Sequence, residues 1–405
     1  MRRSDERAIV SSVERGGLMR RGCVSSSVAA LLILVAPASL AQADTIRSQQ
    51  WHLDAMQAET MWQTSTGSGV TVAVVDSGVD AELPDLQGQV LPGKDFSGLE
   101  GDAQSDYDGH GTGMAVLIAG SGKSNGGAGA SGLAPGAKIL PLRVANAKVP
   151  AAKVLTVDSV AAAIRYAADS NAKIINVSMG GRLENEAEAE AVNYALSKGK
   201  LIFAAAGNDG EKGNPIEYPA AFPGVVGVAA VDQDIKATAE SQHGPQVDLA
   251  APGDNIVATC KGGTGLCRSH GTSDATALTS ASAALLWSAH PDWTANQVLR
   301  VLINTAGGPK SGEKRSDSIG YGVVRPRIAL QNPGDPGPPD VSPLPELASA
   351  KSPAANATTP PASKQTDKAD SSLLSKRNLI AVGVIVVAAV TAAAAFTRRR
   401  RMPGN

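Results

Sequence analysis

Four short runs that are almost wholly apolar set the tightest limit on how this chain can fold. They are Val70 to Val75, Ile139 to Val144, Ile174 to Val177 and Leu201 to Ala206. A strand that is apolar on both faces must be covered on both. Between the runs lie segments with helical periodicity, at His110 to Ala119, Val157 to Ala168 and Glu184 to Leu196. Buried strands joined by helices predict a central, mostly parallel sheet in a three-layer α/β domain. In such sheets the working groups gather at the carboxyl ends of the strands. Asp76 follows the first run directly, and Asn208 follows the fourth by two residues. The glycine-rich run Gly120 to Ser131 and the stretch Lys310 to Ser318 are expected as surface loops.

Four glycine-bounded breaks each present one side chain capable of catalysis. VAVVDSG carries Asp76, DGHGTG carries His110, AAAGNDG carries Asn208, and GTSDATALTSASAALL carries Ser273. Singly, each has an ordinary structural use: an Asx turn, a helix start, a left-handed turn, an N-cap on a buried Ala/Leu-rich helix. Together they form a working set. A serine hydroxyl is a poor nucleophile at neutral pH, and an imidazole can take its proton and return it to a leaving amine. A carboxylate behind the imidazole fixes the tautomer and stabilises the cation. The oxyanion then needs N–H donors, which an asparagine amide and a helix-start backbone can supply.

In that order the motifs resemble the subtilisin-like serine proteases (subtilases), over about Gln50 to Leu330. The chain order Asp, His, Ser is the known order of subtilisin. The resemblance implies Asp76, His110 and Ser273 as catalytic residues, and Asn208 with the Ser273 N–H as the oxyanion hole. It also implies that INVSMGG, Ile175 to Gly181, lies beside an extended substrate. Ser178, Met179 and Gly180 would then bind it through backbone hydrogen bonds. The expected reaction is cleavage of peptide bonds in protein or peptide substrates, with no cofactor and no metal. Two positions depart from the family pattern: Asp274, where an apolar residue is common, and Ala277, where proline is common. Alanine continues a helix well. A carboxylate at position 274 suits a helix N-terminus, but near the oxyanion it would repel and slow acylation.

The ends of the chain carry other signals. Arg20 and Arg21 precede an apolar stretch, Val28 to Val35, and then Ala41-Gln42-Ala43, which reads as a signal sequence over residues 1–43. Only 32 positions separate Asp44 from Asp76, too few for a folded prodomain. The lead-in is expected to pack on the domain through Trp51, Leu53, Met56 and Trp62. Cys260 and Cys267 are expected to pair in an exported protein. Residues 331–377 read as a Pro/Ala/Ser-rich disordered linker. Residues 378–397 read as one transmembrane helix, and the arginines at 398–401 are expected to stay in the cytoplasm. The protease domain, residues 44–330, would stand outside the cell membrane. This architecture looks like the mycosins, the membrane-anchored subtilases of type VII secretion, and implies the secretion machinery as partner. A general cell-surface subtilase, or a weakly active scaffold of a secretion complex, is the alternative. With 37 basic and 38 acidic residues and 3% aromatics, nothing favours nucleic acid as a partner.

Overall fold

A computed structural model describes residues 45–145, 158–263 and 265–345. The expected signal sequence, the apolar run 378–397 and the basic tail lie outside the described residues. Among the described residues, no helix is long and apolar enough to cross a membrane.

The strands are β1 (Thr71–Asp76), β2 (Lys94–Asp95), β3 (Lys138–Arg143), β4 (Ile174–Val177), β5 (Leu201–Ala205), β6 (Val226–Val231), β7 (Val247–Pro252), β8 (Ile256–Thr259) and β9 (Leu266–Ser269). The first seven form one sheet in the order β2-β3-β1-β4-β5-β6-β7, every neighbouring pair parallel. β8 and β9 make an antiparallel hairpin. The helices are α1 (Trp51–Met56), α2 (Ala58–Trp62), α3 (His110–Ala119), the short α4 (Ser124–Gly127), α5 (Asp158–Asp169), α6 (Glu186–Ser197), α7 (Thr272–Ala289), α8 (Ala295–Thr305) and α9 (Pro326–Gln331).

Side chains alternate across a strand, and β1 divides accordingly. Val72 and Val74 join the core that holds α3 and α7, while Ala73 and Val75 join the one under α5 and α6. The result is the expected three-layer α/β arrangement. The pillar of one layer is α7, where every residue from Thr272 to Trp287 is buried except Ser273. Three of its buried hydroxyls are satisfied inside the helix. Thr276, Thr279 and Ser282 each donate to the carbonyl four residues back, at 2.7–2.8 Å.

The lead-in belongs to the domain. Leu53 and Met56 are buried, and Trp51 and Trp62 pack against the same core. Their indole N–H groups donate to the carbonyls of Asp254 (3.1 Å) and Leu133 (2.9 Å). The glycine-rich run 120–131 is more than a surface loop. The carboxylate of Asp85, fully buried, accepts from the N–H groups of Ser124 (2.7 Å) and Ala130 (3.3 Å) and from the Thr259 hydroxyl. Composition reveals the glycines but not the distant carboxylate that pins them.

The linker expectation also changes at its start. Residues 332–345 are docked on α8. Arg300 donates to the carbonyls of Pro336, Pro338 (3.3 Å) and Val341, Gln297 to Gly337 (2.9 Å), and Thr294 and Asn296 to Pro339 (2.9 and 3.0 Å). Leu344 closes the segment at 1% exposure. A proline-rich chain makes no backbone ladder of its own, so its carbonyls are free for the polar face of a neighbouring helix.

Candidate active site

β1 ends on Asp76, which is buried. Its Oδ1 accepts from the Ser77 N–H at 2.7 Å and from His110 Nδ1 at 2.8 Å. With Nδ1–H donating, Nε2 is left as the basic nitrogen. Opposite the imidazole, Asp76 Oδ2 is buried with no donor among the described residues.

His110 opens α3, and a second carboxylate fixes that helix start. Asp106 Oδ1 accepts from the Ser77 hydroxyl (2.9 Å) and from the N–H groups of Asp108 (3.1 Å) and Gly109 (2.9 Å). Its Oδ2 accepts from both the N–H (3.0 Å) and the hydroxyl (2.5 Å) of Thr112. Of the donors that the helix start leaves open, Asp106 takes the Thr112 N–H, while Asp108 Oδ1 takes that of His110 (2.9 Å) and the Ser77 hydroxyl that of Gly111 (2.9 Å). Neither the Asp106 hub nor its partner Ser77 was among the sequence-derived site residues. Asp76 raises the imidazole pKa to about 9 against the opposing effect of burial, with Asp274 and Asp108 adding to the rise.

The other half of the site is the entry into α7. Gly271 has φ +133°, and a Cβ there would sit 2.9 Å from Asn208 Nδ2, so both backbone and space call for glycine. Asn208 Oδ1 accepts from the Thr272 N–H (2.9 Å) and the Thr272 hydroxyl (3.0 Å), which itself accepts from the Gly207 N–H at 3.1 Å. A backbone N–H can only donate, so the atom it meets is the amide oxygen, and the NH2 of the exposed Asn208 is the free end. Thr272 is therefore a site residue that the sequence reading passed over, although it stands inside the GTS motif.

Ser273 is the second residue of α7, where backbone N–H groups lack an intrahelical acceptor. Its hydroxyl donates to the Ser178 carbonyl at 2.9 Å. No hydrogen bond joins it to His110 among the described residues. The Ser178 side chain, as distinct from the backbone expected to meet substrate, turns into the domain. It donates to the Ser273 carbonyl (3.2 Å) and accepts from Asn176 Nδ2 (2.9 Å), while Asn176 Oδ1 accepts from the Ser280 hydroxyl (2.9 Å). This chain of bonds ties β4 to α7 at the serine. Met179 packs against the α5/α6 core and Gly180 is exposed. Gly181 is already paired with Tyr218 through both its N–H and its carbonyl (2.9 and 2.8 Å).

Asp274 is buried and accepts from the Ser269 hydroxyl at 2.7 Å. Burial pushes its carboxyl up to about 6, against the pull of Ser269, His110 and His270. The expected pairing of Cys260 with Cys267 is present, closing the β8–β9 hairpin. β9 runs through His270 and Gly271 into α7, and Lys261 at the hairpin tip donates to the Asp106 carbonyl. The hairpin thus touches both halves of the site. Among the described residues, no group of three or more His, Cys, Asp or Glu side chains is placed to hold a metal ion.

Residues 67–322 match the sequence model of the subtilase family, peptidase S8. The chain belongs to the subtilase family. It is 38% identical over 259 residues to thermitase of Thermoactinomyces vulgaris, covering 64% of this chain and 88% of that one. To subtilisin E of Bacillus subtilis it is 36% identical over 246 residues, 60% of this chain and 62% of the relative. These relatives are serine proteases, and this subtilase is a serine peptidase as well. Among solved structures it resembles MycP1 with its N-terminal propeptide removed (30% identity, TM-score 0.61, 71% of this chain and 98% of that one). It also resembles MycP1 from Mycobacterium smegmatis (28% identity, TM-score 0.62, 74% and 88%). A third is the MycP3 protease from the type VII (ESX-3) secretion system (33% identity, TM-score 0.60, 69% and 87%). This subtilase has mycosin proteases as structural neighbours.

Proposed function

We propose that this subtilase is a membrane-anchored, extracellular endopeptidase serving type VII secretion, with Ser273 as nucleophile, His110 as base and Asp76 behind it. The observation that carries the catalytic part is the 2.8 Å bond from His110 Nδ1 to Asp76, together with a serine at the half-open second position of a buried helix. In this reading Ser273 swings its hydroxyl off the Ser178 carbonyl and gives its proton to His110 Nε2 as Oγ attacks the substrate carbonyl carbon. The oxyanion takes hydrogen bonds from the Asn208 NH2 and the Ser273 N–H. The C–N bond then breaks, the imidazolium proton goes to the leaving amine, and water repeats the sequence on the acyl ester. The mycosin neighbours support the secretion role. The signal-like leader, the apolar run 378–397 and the arginines behind it support anchoring with the domain outside.

A scaffold role is the second reading. It is favoured by the Ser273 hydroxyl being held on Ser178 and by a buried carboxylate, Asp274, directly after the nucleophile. Labelling with a serine-directed fluorophosphonate decides the first point: the wild-type chain is expected to label and Ser273→Ala to lose the label. Absence of wild-type labelling defeats the protease assignment of Ser273. If secretion survives Ser273→Ala but not deletion of the gene, scaffolding is the working role.

A further inference from the structure

The ends of β4 and β5 lead into two bare stretches of backbone, Ser178–Gly181 and Ala206–Asn208, and one side chain fills the gap between them. Glu217 Oε2 lies so close to Gly180 that a Cβ on that glycine would be 2.8 Å away. The other oxygen, Oε1, accepts from Gln242 Nε2 at 2.9 Å. The Gln242 amide in turn lies against Gly207, where a Cβ would come within 2.4 Å of it. Glycine on both walls leaves room for the carboxylate and for whatever approaches it.

Glu217 is half-buried and forms no ion pair among the described residues. Arg182, the cation whose charge reaches it, is held by Asp209, which also binds Lys212 at 3.4 Å. Burial pushes the Glu217 carboxyl above its usual range. A partly desolvated carboxylate without a counter-charge is costly to keep ionised, and an incoming cation offsets that cost.

The position relative to Ser273 defines which part of a substrate arrives there. The Ser178 carbonyl touches Ser273 Oγ, and Gly180 is two residues further on. Two residues of extended chain span about 6.5 Å, roughly the reach of a lysine's four-carbon stem. For a substrate carbonyl held between Ser273 and the Asn208 amide, the gap between the two bare stretches is the recess that lies within that reach.

We infer that Glu217 is a specificity determinant that selects lysine or arginine at the residue whose carbonyl Ser273 attacks. The inference rests on the site reading above and deepens it by naming the substrate class. The aliphatic stem lies along the glycine walls, as such stems do on uncharged surfaces, and the cationic head meets Glu217 Oε2. Glu184, bonded to the Tyr218 hydroxyl at 3.4 Å, adds negative charge nearby, whereas the charge of Asp209 is offset by Arg182 and Lys212.

The test compares paired peptides on the purified full-length chain: lysine against norleucine, and arginine against citrulline, at that one position. The expected ratio of kcat/KM, basic over neutral, exceeds about tenfold for the wild type. It falls toward one in Glu217→Gln, which keeps an acceptor for Gln242. In Glu217→Lys the preference moves to a glutamate peptide. Because each ratio is taken within one protein, any general loss of activity cancels. Binding of the same peptides to full-length Ser273→Ala reads the ratio without turnover, so a failure of the catalytic assignment stays distinguishable. Equal values for lysine and norleucine in the wild type, or a ratio unmoved by Glu217→Gln, overturn the inference.

Discussion

The two halves of the site differ in how far they are assembled. On the β1/α3 side, Asp76 and His110 are already joined, and Asp106 fastens the loop and helix start with five accepted bonds. On the β4/α7 side, Asn208 and Ser273 are positioned by Thr272 and Ser178, yet the serine hydroxyl is bonded to a carbonyl and not to the imidazole. The half that handles protons is fixed in advance. The half that handles the substrate carbonyl keeps one rotation in hand, consistent with catalytic bonds that tighten only once substrate is bound. Preorganisation in this site is therefore uneven, and mutations in the two halves should give different signatures.

The sharpest way to probe the carbonyl half is Asn208→Ala. Losing one oxyanion donor is expected to lower kcat by roughly 10²–10³ with little change in KM. Thr272→Val, which removes only the hydroxyl that steadies the amide, should cost far less, about tenfold. A Thr272→Val loss as large as that of Asn208→Ala would mean the amide is not fixed independently by the Thr272 N–H. Steady-state kinetics on one peptide ester give both numbers.

Asp274→Asn tests how firmly the proton half is set. The Asp274 charge helps hold the His110 pKa up, so the variant's base should titrate lower and the rising limb of kcat/KM should shift to lower pH. Between about pH 7 and the wild-type His110 pKa near 9 the gain is expected to be several-fold, closing above it. It should shrink as pH falls through about 6, where the wild-type carboxyl takes up a proton. Stability should change in the same window. The folded pKa of Asp274 lies above the ordinary carboxylate value, so its contribution is most favourable in acid and is lost as pH rises through about 6. The variant should therefore melt higher than wild type at pH 8 and match it near pH 4. Identical pH profiles would show that Asp274 does not act on His110.

Much of the framework was legible because buried strands advertise themselves. The runs read as Val70–Val75 and Ile139–Val144 appear as Thr71–Asp76 and Lys138–Arg143, and His110–Ala119 is the observed α3. The edges of the sheet were silent for physical reasons. β2 has two residues, both polar. β7 carries Asp248, whose carboxylate accepts from the Gly227 N–H at 3.1 Å, and ends on a proline that an edge strand tolerates. In the site, the motif residues were legible, whereas their supports were not. Asp106 is one of two acids in SDYDGHG, and nothing in the sequence marks it as the one that turns inward. Glu217 lies in no motif, seven residues past AAAGNDG, and meets Gly180 only through the fold.

The docking of residues 332–345 on α8 changes where the domain can be cut. A chain stopped at Leu330 would uncover the groove that Leu344 fills and return Arg300, Gln297 and Thr294 to water; one stopped after residue 345 would not. Burial of a leucine contributes about 1.5–3 kcal/mol. The shorter chain should therefore melt several degrees lower, and equal melting points would show the segment to be ornamental. Proteolytic trimming from the carboxyl side should pause near residue 345. Leu344, buried against the domain, lies some way into a stretch whose composition alone reads as tether.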